Sequence, residues 1–269
     1  RQLWFYLGAF PRLAFRSRPT AFVSQTNPPL VVLLAAVAAK LHRRPLIIVA
    51  MDLYPEVLFA HRLVRAESAT ARLLQFLFRL AYRSAGTVVA LGPTMARRLE
   101  EKGVPRSRIV TISNWAVGDV TAVRSADNLL LQKWGLASSF VVLYSGNLGI
   151  AHDVETPILA LREASRTLPH LRLVFVGKGS RLQEAERIAR QAGVASLVQF
   201  RPLVPLELLS HSLGLADVAL VTMLPGFEGL VVPSKVLGYL ARGVATVYVG
   251  PPGDVRYGDS SWSVPSGIR

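Results

Sequence analysis

Cysteine occurs nowhere in the 269 residues, which removes disulfides, thiolate metal ligands and a cysteine nucleophile at once. Histidine is scarce: His42, His61, His152, His170 and His211 are scattered without metal-ligand spacing, so no structural zinc site is expected. No apolar run is long enough to cross a bilayer. The longest, Pro28 to Lys40, runs into His42, Arg43 and Arg44 and reads as a buried helix. Internal repeats and low-complexity tracts are missing too. The chain opens at Arg1 without a methionine or a signal peptide, in what reads as mid-domain helix, and is expected to be a piece of a longer chain.

What is present is apolar and basic. With 51% hydrophobic residues and a mean hydropathy of +0.36, the chain can bury a core and is expected to form two domains of ordinary size. The net charge of +14 is uneven: residues 1–120 hold seventeen Lys and Arg against six Asp and Glu, residues 121–269 fourteen against eleven. A basic half of this kind suits nucleic acid, anionic headgroups or a phosphorylated substrate. Trp4, Phe5, Tyr6, Phe10, Phe15, Phe76 and Phe78 are interleaved with the basic residues and no nucleic-acid motif occurs, so an anionic membrane surface is favoured and nucleic acid is not expected. The alternative is a solvated basic face.

Strand-like and helix-like segments alternate, which predicts parallel sheets. Strands are expected near 21–25, 45–50, 87–91 and 108–112, then at 140–144, 171–176, 198–200, 218–221 and 245–249. Helices lie between them. In the helix over 68–83, Leu73, Leu74, Leu77 and Leu80 are expected to form the core stripe, with Arg72, Arg79 and Arg83 on an opposing face. Gly118, Asp119, Ser125, Asp127 and Asn128 interrupt the pattern. The expected division is a first Rossmann-like domain over 1–120, a linker over 121–138 and a second Rossmann-like domain over 139–269. Loops at the carboxyl ends of parallel strands face the ligand crevice, which places Asp52, Gly92 and Asn114 on one edge of the first sheet.

In the second domain the same rule gathers three stretches: Ser145, Gly146 and Asn147; Gly177 and Gly179; and the loop, helix and strand from Leu224 to Gly250. Within the last, Glu228 and Gly229 precede Pro233, Ser234 and Lys235 at an expected helix N-terminus. Unpaired N–H groups, a hydroxyl and a cation there suit a phosphate. Ser180 and Gln183 have the spacing of a capping box for another helix. An ordinary capped strand–helix–strand unit is the alternative.

Tyr144-Ser-Gly-Asn-Leu-Gly149, Phe175-Val-Gly-Lys-Gly179, Ala216-Asp217, and Glu228-Gly-Leu-Val-Val-Pro-Ser-Lys235 followed by Leu240-Ala-Arg-Gly243 resemble the donor domain of glycosyltransferase family 4. Gln25-Thr-Asn-Pro-Pro29, Asp52-Leu-Tyr-Pro-Glu56, Leu91-Gly-Pro-Thr-Met95 and Ile112-Ser-Asn-Trp115 resemble its first domain. The resemblance covers about residues 20–250 and is nearest to the bacterial branch that transfers amino sugars in polysaccharide and O-antigen assembly. It implies a GT-B architecture, α/β with two Rossmann-like domains, the first one incomplete here. It further implies retaining transfer from a nucleotide sugar, a UDP-sugar by preference, to a lipid-linked or saccharide acceptor, with no cofactor and no metal ion.

The resemblance assigns donor binding to Ser145, Gly146, Asn147, Gly177, Gly179, Glu228, Gly229, Pro233, Ser234 and Lys235. The glycines would admit the donor to the backbone, Glu228 would hold sugar hydroxyls, and Lys235 would meet the departing diphosphate as a catalytic cation. Asp52 is the candidate for acceptor activation; capping of the following turn is its alternative. Three departures from the family pattern involve four positions. Asn147 and His152 stand where many members place Arg and Lys, Gly238 where a ribose-binding glutamate is usual, and Met51 where a histidine is frequent. The implied location is cytoplasmic, peripheral to the membrane. The competing readings are an inactive sugar-nucleotide-binding fragment and a UDP-sugar epimerase of the same fold.

Overall fold

The computed structural model describes residues 2–16, 19–116, 123, 127–252 and 263–264. The chain forms two compact units: Arg1–Ser113 with Gly226–Val232, and Asn114–Pro225 with Pro233–Arg269. The segment 226–232 therefore belongs with the first unit, although its flanks on both sides belong to the second.

The first unit holds a parallel sheet in chain order, β1 (Phe22–Gln25), β2 (Leu46–Ala50), β3 (Thr87–Ala90) and β4 (Ile109–Thr111). Crossover helices are α2 (Val31–His42), α3 (Glu56–Ala60) with α4 (Ala69–Ser84), and α5 (Pro93–Glu101). These preceding α1 (Gln2–Pro11) and a short π-helical stretch, Arg12–Arg16, open the chain. Val, Ile and Ala runs make β2 and β3 strands buried in the middle of the sheet, as expected where helices cover a parallel sheet. Ser68 caps α4, its hydroxyl accepting from Ala71 N–H at 3.1 Å. Pro93 sits in the first turn of α5, where its missing N–H costs nothing.

Of the four leucines expected to form the core stripe of α4, Leu74 packs against the core and Leu73, Leu77 and Leu80 are exposed. Phe78 and Tyr82 are fully buried and join the core that holds Val32, Ala35, Ala38 and Ala39 of α2, whereas Leu73 and Leu80 are 57% and 52% exposed. Phe76 and Leu77 are exposed with them. Apolar residues cover more than half the circumference of α4, so periodicity marks an apolar helix without deciding which part turns inward. Two large rings beside Ala71 and Ala81 fill the space against the alanine-rich α2 better than a leucine row. Tyr54 stacks on Phe78 at 6.0 Å between ring centres, which extends the aromatic core.

The second unit is a parallel sheet in the order β10-β9-β8-β5-β6-β7. Its strands are β5 (Phe140–Asn147), β6 (Leu171–Lys178), β7 (Val198–Arg201), β8 (Val218–Thr222), β9 (Thr246–Val249) and β10 (Ser263–Val264). The helices are α6 (Leu129–Lys133), α7 (Glu155–Ala164), α8 (Leu182–Gln191), α9 (Leu209–Leu213) and α10 (Lys235–Leu240). The stretch read as a linker, 121–138, is covered from 127 onward. There α6 buries Leu130 and Leu131, Leu136 is buried just after it, and the buried Asn128 both caps α6 and donates to the His211 carbonyl at 2.9 Å. The capping box expected from Ser180 does not form: α8 begins after Arg181, with no side-chain cap.

Strand order reverses between β5 and β8. The chain lays down β5, moves outward through β6 and β7, then returns to add β8 on the other edge of β5. Parallel sheets leave a crevice at the carboxyl ends of two such strands, because their connections depart in opposite directions.

The α4 correction has a measurable consequence. Phe78→Ala is expected to cost about 3–5 kcal/mol in urea denaturation, the usual range for emptying a buried aromatic site. Leu73→Ala and Leu80→Ala are expected within about 0.5 kcal/mol of the parent. Comparable losses at Leu73 and Phe78 would return the leucine row to the core.

Candidate functional site

At the β5–β8 reversal the two strands pair only through Val142 with Val218 and Leu143 with Ala219. Beyond Leu143 the strands diverge, and β5 needs another partner for its backbone. Tyr239 on α10 supplies it: its buried hydroxyl accepts from Ser145 N–H at 2.7 Å. Tyr239 and Lys235 are four residues apart on α10, so one helix face delivers both to the split.

Lys235 Nζ donates to the Tyr144 hydroxyl and lies 3.9 Å from the centre of the Tyr144 ring. It is also 3.3 Å from His152 Nε2. His152 Nδ1 stands 2.7 Å from the Thr222 carbonyl at the end of β8. A carbonyl only accepts, so Nδ1 carries the proton and Nε2 presents a lone pair to the ammonium. The Tyr144 hydroxyl donates in turn to the Asn147 carbonyl at 2.9 Å. Tyr144 is buried, with Phe175 beside it at 5.6 Å between ring centres, and Phe200 stacks behind Phe175 at 5.3 Å. The ammonium thus sits between aromatic and neutral polar groups drawn from β5, the β5–α7 loop and α10.

Burial pulls the Lys235 pKa down to about 7. Burial, and then the neighbouring Lys235 and Arg181 charges, hold His152 down at about 4, against the opposing effect of the Thr222 carbonyl. None of the ion pairs among the described residues involves Lys235. The contrast is Lys102 in the first unit, whose pKa burial also lowers, but which pairs with the Glu56 carboxylate. Lys102 is a compensated charge and Lys235 is not, so Lys235 is the one whose environment favours an incoming anion.

The other predicted residues fall into separate groups. Ser145, Gly146 and Asn147 end β5 beside Lys235, and a Cβ added at Gly146 would be 3.6 Å from Lys235 Cε. Ser234 is exposed, and Pro233 is buried just before α10. With six residues, α10 is too short to act as the dipole-bearing anion site expected from the sequence; the charge at this end is that of Lys235.

Gly177 and Gly179 have to be glycines because of the backbone next to them. A Cβ at Gly177 would stand 1.9 Å from the Gly146 carbonyl oxygen, and one at Gly179 2.1 Å from that of Leu148. The position of a Cβ beside them is filled by the neighbouring backbone of β5 and its loop.

Glu228 and Gly229 lie in the first unit. The Glu228 carboxylate accepts from Gly226 N–H at 2.7 Å and its carbonyl from Arg98 at 2.5 Å. Gly229 is at φ +67°, and a Cβ there would meet Thr94 at 2.9 Å. The Leu230 carbonyl accepts from Leu53 N–H at 2.8 Å, and Val231 bridges Asp52. The apolar Phe227, Leu230 and Val231 account for this placement: they are covered by the first unit, and Leu230 belongs to its core. Asp52 follows β2, its N–H donating to the buried Thr26 hydroxyl at 3.1 Å. Burial raises the Asp52 pKa, and His61 opposes that rise.

Sequence reasoning passed over Tyr239 and treated Tyr144 only as part of a motif. The Lys235-to-Tyr239 spacing was the available signal for the first. Nothing local signals that Tyr144 and His152 meet a lysine 91 and 83 residues away.

The glycine geometry predicts Gly177→Ala and Gly179→Ala to lower the melting temperature sharply, by the equivalent of more than about 3 kcal/mol, since backbone must move. Gly146→Ala meets no backbone and adds the strain of a positive φ of +127°, about 1–3 kcal/mol. Equal melting losses at all three would remove the distinction.

Residues 2–115 match the family model of the glycosyl transferase 4-like domain. "Probable glycosyltransferase WbjE" of Pseudomonas aeruginosa is 30% identical over 220 residues, 81% of this chain and 54% of that protein. WcaI of Escherichia coli (strain K12), named as a candidate colanic acid biosynthesis glycosyl transferase, is 30% identical over 176 residues, 61% of this chain and 40% of its own length. The chain thus spans about half the length of the curated relatives it matches. Among solved structures, Anabaena Alr3699/HepE in complex with UDP aligns with a TM-score of 0.69 at 15% identity, over 90% of this chain and 64% of the other. Its complex with UDP-glucose aligns at 0.68 and 17% identity, over 91% and 64%. Residues 2–115 are thus similar to the glycosyl transferase 4-like domain, and the two parallel Rossmann-like sheets with these structural alignments give the chain the α/β GT-B fold.

Proposed function

We propose that this chain is the donor- and acceptor-binding part of a glycosyltransferase that moves a sugar from a UDP-sugar to a lipid-linked or saccharide acceptor in cell-envelope polysaccharide synthesis. The observation that carries the reading is the partly buried Lys235 cation, without a carboxylate among the described residues, at the carboxyl-end crevice of the second sheet. Such a charge suits the diphosphate of a nucleotide sugar. The likeness to a protein solved with UDP and with UDP-glucose supports uridine as the nucleoside, and the name of WcaI supports polysaccharide assembly.

In this reading the second unit is the donor side and the first unit the acceptor side. As the bond from the anomeric carbon to the diphosphate oxygen breaks, negative charge grows on the leaving diphosphate, and Lys235 stabilises it with Ser234 and the β5 end. That assistance comes from the protein's own cation, and transfer is proposed to need no metal ion and to retain the anomeric configuration. Asp52, raised in pKa by burial, is the proposed acceptor-activating carboxylate. No cofactor takes part.

Lys235→Met tests the assignment. A charge-assisted contact contributes about 1.5–3 kcal/mol, so calorimetry is expected to show UDP affinity down by about tenfold or more and uridine affinity unchanged. The sign of the pH effect follows from the lowered lysine pKa. The charged form is about half present at pH 7, dominates below it and is lost above it, so the UDP advantage over uridine is expected to shrink as pH rises from 6 to 9 in the parent and to lose this dependence in the variant. Equal losses for UDP and uridine would take Lys235 away from the diphosphate.

The first unit is proposed to lie on anionic membrane at the cytoplasmic face. Trp4 and Phe15 are 78% and 80% exposed, and α4 exposes Leu73, Phe76, Leu77 and Leu80 beside Arg72, Arg79 and Arg83. No helix among the described residues is long and apolar enough to cross a membrane. Each basic side chain near a charged surface contributes about 1 kcal/mol. Flotation is expected with anionic vesicles at low salt, and much less at high salt or with neutral vesicles. Binding indifferent to lipid charge would exclude this mode.

A further inference from the structure

His152 has no role in the proposal above, yet its ring is fixed more completely than packing requires. Nδ1–H is committed to the Thr222 carbonyl, and Nε2 faces Lys235. Its edge meets the Tyr144 ring at 5.6 Å and 77°. The main chain is held as well: the His152 carbonyl accepts from Arg181, and the carbonyl of Ala151 accepts from Leu224 N–H at 2.8 Å. Arg181 is itself clamped by Glu184 through two bonds of 2.7 and 2.6 Å.

We propose that His152 is a positioning residue for Lys235, its neutral ring offering Nε2 to the ammonium so that, with the Tyr144 hydroxyl, it fixes two of the three N–H groups and leaves the third for an oxygen of the diphosphate. The inference rests on the reading of Lys235 as the diphosphate contact. A lysine ammonium has three donors on a flexible stem. Anchoring two of them removes the rotamer search that a free lysine would undergo when the anion arrives, which is how preorganisation raises affinity. The ring must stay neutral for this. A second proton would set an N–H against the ammonium, and burial together with the Lys235 and Arg181 charges opposes that proton.

The groups facing the pair come from every side of the split. Tyr144 lies on β5, Tyr239 on α10, Asp153 follows His152, and Arg181 with Glu184 lies at the start of α8. Asp153 is spent on the α7 N-terminus, where its Oδ1 accepts from Glu155 and Thr156 N–H. Removing the acceptor at position 152 is expected to disfavour the charged lysine and to move its titration to lower pH.

The test uses the 269-residue chain with UDP and uridine as probes, measured by calorimetry between pH 6 and 9. His152→Leu is expected to lower UDP affinity about fivefold with uridine within twofold, and to shift the decline in UDP affinity to lower pH. His152→Gln, whose side-chain oxygen can accept from Lys235, is expected to recover most of both. On a Lys235→Met background, His152→Leu is expected to add no further loss. Equal defects in the Leu and Gln variants, or a defect that persists without Lys235, would make His152 a packing residue and overturn the proposal. A normal UDP-to-uridine ratio in Lys235→Met would instead overturn the diphosphate reading itself.

Discussion

The Lys235 ammonium, part-withdrawn from water and facing a tyrosine hydroxyl, a tyrosine ring and a neutral imidazole, is the interaction on which the second unit turns. Burial lowers its pKa, and with no carboxylate among its described partners to offset that cost the site keeps a preference for an anion. The sheet pays for this arrangement in backbone pairing. β5 and β8 separate after two residue pairs, and the Tyr239 hydroxyl has to stand in for the absent ladder bond at Ser145. The same split releases one edge of β5 where Lys235 arrives, so the placing of the cation and the stand-in hydroxyl both follow from one reversal in strand order.

Backbone approach on the other side of β5 is a constraint of equal force. β5 and β6 stay paired as far as Asn147 with Lys178, and Gly177 and Gly179 are needed because the adjacent carbonyls occupy the positions of their Cβ atoms. This keeps the end of β5 paired on one edge where its other edge is released. The same strand carries Tyr144, and through it one anchor of Lys235. In this way Gly177 and Gly179 help to set the backbone that carries Tyr144 toward Lys235.

The segment 226–232 leaves the second unit, packs with the first and returns. Its apolar residues are covered by the first unit, where Val231 bridges Asp52, and the chain then returns to the second unit to present Lys235 four residues later. Gly229 permits the turn, being at positive φ with Thr94 against it. Local pattern cannot reveal such a passage, because a loop between a strand and a helix of one sheet has the same composition wherever it packs.

The sequence by itself determined the alternation of strands and helices, the two parallel sheets and the carboxyl-end position of the candidate loops. Those follow from short β-branched runs, helical periodicity and glycine or proline at the ends, all of which act over a few residues. Lys235 and the end of β5 were legible for the same reason, since loops at strand ends face the crevice in any parallel sheet. Only the tertiary structure decided which face of α4 is buried, since its apolar residues exceed what one face can hold and the choice belongs to α2 and the rest of the core. It also decided that Glu228 and Gly229 join the first unit, that Gly177 and Gly179 answer to neighbouring carbonyls, and that His152 and Tyr144 meet Lys235. Each of these depends on atoms far away along the chain, and the energies that select among them, close packing and hydrogen bonding of buried groups, exist only once the chain has folded.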